Sequence, residues 1–366
     1  MKLLLIFFLL SGCAAGLMLF RKNSLPIAEG KPEKQPLVSV IIPARNEEKN
    51  LPHLLASLQR QTYKPMEIIV ADDGSTDRTA AIAEKFGARV VRVTEPPENW
   101  TGKTWAVWNG FLQSRGELLA FLDADIRLAP EALARLVKCR EKTGGALSVV
   151  PFHQTEKWYE RLALLLNLLS IFVFTSPFER NNPKKGLYGS CILVSRSDYE
   201  KIGGHASIRS EVVEDLNLGR KFMEAGIPVH NYIGEDTVRF RMYPGGLKSE
   251  LEGFAKSAAP GVSNFRPATL AFIIWWLVGL VLSAAFPFFI QTEWFVPLLA
   301  GYFLYVLEIM YLARHAGNYG FWMPVLYFVP LLFFLTVMLY STYQTHIRKK
   351  VLWKGRYVEV VGKRKV

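Results

Sequence analysis

Four long apolar runs constrain this chain before anything else does. The first, Leu3 to Phe20, is closed by Arg21-Lys22; Ala268 to Ile290, Trp294 to Ala313 and Phe321 to Tyr343 follow Pro267. Each is near the ~20 residues that carry a helix across a bilayer. Lys, Arg, Trp and Tyr flank them, as at membrane–water interfaces. A buried core helix explains one such run, whereas four with these flanks point to a multi-pass protein of the cell membrane. Residues 268–343 are then a C-terminal membrane region with up to three hydrophobic helices.

The basic excess sits where such a protein meets lipid. Lys plus Arg number 44 against 32 Asp plus Glu, a net +12, and the tail 344–366 alone carries eight basic residues and one acidic one. Such a tail suits anionic head groups. Nucleic acid is the competing partner, but there is no zinc finger, recognition helix or aromatic-basic interleaving to support it, so membrane lipids are expected and nucleic acid is not. Cys13, Cys139 and Cys191 lie far apart with no Cys-x-x-Cys unit, which argues against a structural zinc or a disulfide framework and fits a reducing compartment. Leu10-Ser11-Gly12-Cys13 looks like a lipoprotein cleavage site. Only Lys2 precedes it, however, and the apolar run continues past Cys13, so residues 1–20 are expected to be an uncleaved anchor with Arg21-Lys22 on the cytoplasmic side.

Residues 21–36, with Pro26, Pro32 and Pro36 among several charges, read as a linker to a soluble domain over 37–265. Leu37 to Pro43, Met66 to Ala71 and Leu118 to Leu122 have the apolar character of buried strands, and Arg89 to Val93 reads as another strand. Helices are expected from Asn46-Glu47-Glu48 to about Arg60, through Ala80, Ala81 and Ala83, and from Thr104 to Ser114. The alternation implies an α/β domain with a Rossmann-like, mostly parallel sheet. Its loops gather at one edge, where ligands bind. Further on, Leu162 to Phe174, interrupted by Asn167, is too short to span comfortably and reads as an interfacial or buried element. Gly186 to Val194 reads as a strand and Gly203-Gly204-His205 as a tight turn with a structural histidine.

The chemistry is expected on the edge loops. In Phe121-Leu122-Asp123-Ala124-Asp125 a buried strand runs into two carboxylates, which can offer hard oxygen ligands to Mg2+ or Mn2+ and through it to nucleotide phosphates; Asp also caps helices, and Pro130-Glu131 begins one just after. In Asp72-Asp73-Gly74-Ser75 one Asp can cap the next helix while the other faces the crevice, where a carboxylate can accept the ring N–H of a pyrimidine. Trp100-Thr101-Gly102-Lys103-Thr104 sets a lysine at a helix start, a good place for phosphate, although the earlier glycine of a P-loop is missing. Val213-Glu214-Asp215-Leu216 puts two acids into an apolar helical start, either a general base in a cleft or a charged N-terminus.

In this order and spacing, Val38 to Glu48 (Val-Ser-Val-Ile-Ile-Pro-Ala-Arg-Asn-Glu-Glu), Asp72-Asp73, Gly102-Lys103, Asp123-Ala124-Asp125 and Glu214-Asp215 resemble family 2 glycosyltransferases of the GT-A fold, from about Leu37 to Gly261. Arg241-Met242-Tyr243 through Glu252-Gly253, Lys256 and Trp353 to Tyr357 look like the membrane-bound bacterial subgroup that includes 4,4'-diaponeurosporenoate glycosyltransferases. The resemblance implies that Pro43, Ala44, Glu47 and Asp73 hold the uridine of a UDP-sugar, with Lys103 near the diphosphate. It implies that Asp123 and Asp125 hold the donor and its Mg2+ or Mn2+, and that Asp215, or Glu214 beside it, deprotonates the acceptor. Family mechanism implies direct displacement with inversion. The Gln-x-x-Arg-Trp box of processive members is missing after Asp215, which argues for transfer of one sugar, UDP-glucose being the expected donor.

The expected activity is therefore glycosylation of a lipid acceptor: a carotenoid acid such as 4,4'-diaponeurosporenoate, or a diacylglycerol, hopanoid or polyprenyl phosphate. A polysaccharide synthase is the alternative, and a non-catalytic membrane scaffold a third reading. The catalytic domain is expected in the cytoplasm, where UDP-sugars are made. Three full crossings after Pro267 would send the basic tail outside, against the positive-inside tendency. One run is therefore expected not to cross, leaving the tail cytoplasmic with Trp353 and Tyr357 at the interface.

Overall fold

The computed structural model describes residues 1–26, 33–211, 213–258, 264–348, 350–353 and 356–359. The middle of the linker, the end of the resemblance at Gly261, most of the basic tail and the interfacial placement of the Trp353 and Tyr357 side chains lie outside what is described. In chain order the elements begin with α1 (Lys2–Leu19), β1 (Val38–Ala44), α2 (Leu51–Gln59), β2 (Met66–Asp72), α3 (Thr79–Lys85), β3 (Arg89–Arg92), α4 (Gly102–Leu112), β4 (Leu118–Leu122) and β5 (Ile126–Leu128). Then come α5 (Ala132–Thr143), β6 (Ala146–Val150), β7 (Phe152–His153), α6 (Leu164–Thr175), β8 (Cys191–Ser195), α7 (Arg196–Lys201), α8 (Glu214–Glu224), β9 (Val229–Ile233) and β10 (Val238–Phe240). The chain ends with α9 (Leu247–Ala258), α10 (Pro267–Ala284), α11 (Phe295–Ala316), α12 (Trp322–Val325), α13 (Phe328–Thr342), β11 (Lys350–Trp353) and β12 (Arg356–Glu359). They form two compact units, one of Met1–Lys22, His153–Asn182 and Tyr243–Tyr343, the other of Asn23–Phe152, Pro183–Met242 and the residues from Gln344 on.

The second unit is built on a seven-stranded sheet of order β3-β2-β1-β4-β8-β6-β9. β1, β2, β3 and β4 run parallel, as do β6 and β9, while β8 is antiparallel to both its neighbours. Every residue of β4 is buried, and in β1 all but Pro43, the pattern of strands covered on both faces. From β1 the chain steps outward to β2 and β3, then returns to the other side of β1 as β4. That reversal opens a crevice beyond the carboxyl ends of β1 and β4.

One helix starts later than its sequence predicts. α2 begins at Leu51, because the residues from Asn46 to Glu48 give their backbone N–H groups to the loop after β2: Asn46 to Ser75 Oγ at 3.0 Å, Glu47 to Thr79 Oγ1 at 2.8 Å and Glu48 to Asp77 Oδ2 at 3.1 Å. The two loops are thereby fixed to each other at the rim of the crevice.

In the first unit, α1, α10 and α11 pack together. Gly12 and Gly16, one turn apart on the buried face of α1, leave room for Tyr305 and Glu308 of α11 and for Trp275 and Trp276 of α10; small residues at this spacing let apolar helices approach closely. Cys13 is buried within the same face. α6, the short apolar block, is a buried element packed on α10, α11 and α13. Its Asn167 amide lies 2.9 Å from His153 Nδ1 and donates to Tyr319 Oη at 2.7 Å. Four helices are long and apolar enough to cross a membrane: Lys2–Leu19, Pro267–Ala284, Phe295–Ala316 and Phe328–Thr345. The last is separated from α12 by a break at Leu326, after Pro324.

Candidate active site

Because β4 is buried throughout, charge can appear only where it ends. Asp123 N–H donates to Ser190 O at 3.0 Å and Asp123 O receives Ile126 N–H at 3.2 Å, a tight turn with Ala124 buried beneath it. Asp125 accepts Arg241 N–H on its backbone oxygen at 3.2 Å.

A single ammonium group joins this turn to the helix that follows Val213. Lys103 Nζ lies 3.0 Å from Asp123 Oδ1 and 2.9 Å from Glu214 Oε1. Its position is set by the start of α4, where Thr101 Oγ1 accepts from Thr104 N–H at 3.3 Å, and where Thr101 N–H and Thr104 Oγ1 both donate to Arg209 O. Burial works to lower the Lys103 pKa, but the charges of Asp123, Glu214 and Asp215 outweigh it and hold the group well above the ordinary lysine value. It is a permanent cation.

Asp215 is held differently. Its Oδ2 accepts Gly189 N–H at 2.9 Å and its Oδ1 accepts Leu216 N–H at 2.9 Å. A Cβ at position 189 would stand 2.8 Å from Asp215 Oδ2, so only glycine allows the approach. Pro43, Lys103, Asp123, Glu214 and Asp215 line one crevice, together with Gly189, His205 and an apolar wall that includes Val107, Phe121 and Ile192. Burial pulls the His205 pKa down to about 4, with Glu214 opposing and Lys103 assisting, so its ring is neutral at neutral pH.

The other expected residues, Ala44 at the end of β1 and Glu47, Asp73 and Asp125 on adjoining loops, are not among those lining this crevice. Asp73 N–H donates to Ala44 O at 2.9 Å, and the buried Asp73 carboxylate faces Arg45 at 3.5 Å. Of the Asp72-Asp73 pair, Asp72 is the one that holds the turn, accepting Ser75 N–H at 3.1 Å. Glu47 Oε2 takes the Asn50 amide at 2.9 Å ahead of α2. Arg45 and Gly189 were not singled out from the sequence. Arg45 had a signal, standing between Pro-Ala and Asn-Glu-Glu opposite an Asp-Asp loop; Gly189 had none.

Residues 39–203 match glycosyl transferase family 2. A 4,4'-diaponeurosporenoate glycosyltransferase of Staphylococcus haemolyticus is 35% identical over 334 residues, 88% of each chain. One of Staphylococcus aureus strain MRSA252 is 32% identical over 357 residues, 95% of each chain. This chain belongs to glycosyl transferase family 2. A solved mannosyltransferase from Pyrobaculum calidifontis, in complex with GDP-Man and Mn2+, has a TM-score of 0.55 to this family 2 glycosyltransferase at 16% identity, over 94% of this chain and 99% of that one. The likeness is one of fold, and the sheet just described is that of GT-A.

Proposed function

We propose that this glycosyltransferase moves one sugar, with inversion, from a UDP-sugar, UDP-glucose, to a carotenoid acid of the 4,4'-diaponeurosporenoate kind dissolved in the membrane. The observation that carries the reading is the crevice in which Lys103 binds Asp123 and Glu214, in a chain whose relatives over nearly full length bear that name and whose helices include four able to cross a bilayer.

Roles follow from chemistry. Lys103, in the first turn of α4, would meet the diphosphate, where both its charge and the helix N-terminus favour an anion. Pro43, Ala44, Glu47 and Asp73 would hold the uridine. Asp123 and Asp125 would hold Mg2+ or Mn2+. No group of three His, Cys, Asp or Glu poised for a metal occurs among the described residues, and two carboxylates on one turn fit a hard cation that takes its remaining ligands from phosphate and water. Such a cation would neutralise charge on the departing UDP. Asp215, or Glu214, would take the proton of an acceptor hydroxyl; a carboxylate acceptor is already ionised near neutral pH. Membranes holding the protein, given labelled UDP-glucose and 4,4'-diaponeurosporenoate, should yield label extractable into organic solvent as a single-sugar product. Label only in a long polymer would replace the reading with polysaccharide synthesis.

The catalytic domain would face the cytoplasm, and the tail too. One of the runs after Pro267 would then stop short of a full crossing; that of α12 and α13 is broken at Leu326, after Pro324, although Phe328–Thr345 is by itself long and apolar enough to cross. A cytoplasmic reporter fused after Val366 should be active. Activity of a periplasmic or extracellular reporter there would restore three full crossings.

A further inference from the structure

One polar side chain of the crevice has no role so far. His205 is 4% exposed, and its ring meets Phe121 edge-on at 5.3 Å. Its hydrogen bonds decide its tautomer. Tyr199, fully buried, receives the backbone N–H of His205 on its hydroxyl oxygen at 3.0 Å, and the same hydroxyl lies 2.7 Å from His205 Nδ1. A tyrosine hydroxyl has one proton to give. Were the ring proton on Nδ1, that hydroxyl would accept twice, and its own proton would be buried without an acceptor among the described residues, which folded proteins avoid. The hydroxyl therefore donates to Nδ1, and the proton of the neutral ring sits on Nε2. Nε2 makes no hydrogen bond to any described residue, and His205 lines the crevice beside Glu214 and Asp215.

Resting on the reading that the acceptor is a carotenoid acid, we infer that the Nε2–H of His205, fixed by Tyr199, donates a hydrogen bond to the acceptor's attacking carboxylate. A carboxylate entering this crevice meets three resident acids. Asp123 and Glu214 share the one ammonium of Lys103, and both oxygens of Asp215 hold backbone N–H groups. The acceptor needs no base: one carboxylate oxygen bonds to the anomeric carbon, the bond from that carbon to the diphosphate oxygen breaks, and the electron pair leaves with UDP, no proton moving. It needs donors to offset like charge and aim the oxygen. Lys103 faces two acids and would meet the diphosphate, so among the described side chains that line the crevice the uncharged N–H of His205 is the donor left for the acceptor.

The test uses the full chain in detergent with UDP-glucose and two acceptors, 4,4'-diaponeurosporenoate and the primary alcohol made by reducing it. His205→Phe should lower kcat for the acid by about tenfold to a hundredfold, the effect of one hydrogen bond to a charged group, with the Kd for UDP-glucose and the unfolding temperature kept. His205→Gln, which retains an N–H, should recover part of the loss. Tyr199→Phe, which leaves the ring but frees its tautomer, should lower kcat for the acid several-fold, and carries the test if the Phe variant at 205 does not fold. Turnover of the acid within twofold of wild type in His205→Phe or Tyr199→Phe overturns the inference alone, as does a loss shared equally by UDP-glucose binding. A wild-type enzyme that glycosylates the alcohol and not the acid overturns both the inference and the reading beneath it.

Discussion

The crevice of the sheet unit and α9 of the helical unit bury carboxyl groups by opposite means. In the sheet unit, Glu214 is 7% exposed and lies 2.9 Å from the Lys103 ammonium, Asp73 faces Arg45, and Asp72 accepts a backbone N–H. In the helical unit, Glu250 on α9 is 1% exposed, and neither of its oxygens has a hydrogen-bond partner among the described residues. Burial, with the charge of Glu160 added to it, raises its pKa to about 8, so it is uncharged at neutral pH. Around the crevice each of these buried carboxyls has a cation or a backbone N–H against it, whereas Glu250 has neither oxygen bonded among the described residues and sheds its charge instead. Removing a paired charge should thus cost activity, whereas replacing the neutral acid should change only a pH profile.

The largest expected effect is at Asp125. Asp125→Ala should reduce transfer to background while the protein stays folded and membrane-bound, and EDTA should do the same to wild type, reversibly with Mg2+ or Mn2+. Full activity in a metal-free preparation would remove Asp123 and Asp125 from that role. Next comes Lys103→Met, which leaves Asp123 and Glu214 facing each other without their cation and removes a donor to the diphosphate. A loss in kcat/KM of about a hundredfold or more is expected, measured with saturating metal, and near-normal activity would show that the pair in the crevice is only structural.

Asp215→Asn sharpens the comparison further down the scale. Against a hydroxyl acceptor turnover should fall by ~10²–10⁴ with donor affinity kept; against an acid acceptor the change should stay within about tenfold, since no proton is transferred. Unaltered turnover in the double variant Glu214→Gln, Asp215→Asn would take both acids out of catalysis. The smallest effect belongs to Glu250. Its pKa is about 8 in the folded protein against an ordinary 4.5, so the folded state binds the extra proton between those values. The stability this gives is whole below pH 4.5, falls as pH rises, and is gone above about 8. Unfolding temperature in detergent should show that slope in wild type and lose it in Glu250→Gln; parallel profiles would mean that Glu250 is not the protonated group.

Sequence legibility followed the range of the forces involved. β1, β2 and β4 were readable because each is a short apolar run bounded by turn residues, a pattern that local sequence carries; β3, Arg-Val-Val-Arg, has only two valines and lies half exposed at the sheet edge. The antiparallel course of β8 between β4 and β6 was not, since pairing direction depends on strands distant in sequence. Asn46 to Glu48 looked like a helix start, and their backbone is committed to another loop instead. Lys103, Asp123, Glu214 and Asp215 each stood out on a separate loop, but nothing local says that one ammonium group bridges two of them. The tautomer of His205 rests on Tyr199, six residues away yet separated from it by a tight turn at Gly203, and no periodicity reports that.

The seat of α1 against α11 also sets an order of events during synthesis. Tyr305 Oη donates to Leu9 O across 296 residues, and the glycine face of α1 fits side chains that come from the far end of the chain. The first helix leaves the ribosome long before those side chains exist. At about 5–20 residues per second, close to three hundred residues represent roughly fifteen seconds to a minute, during which the whole sheet is made. α1 must therefore wait with its glycine groove open, and residues of α10 and α11 have to be made before that groove is filled.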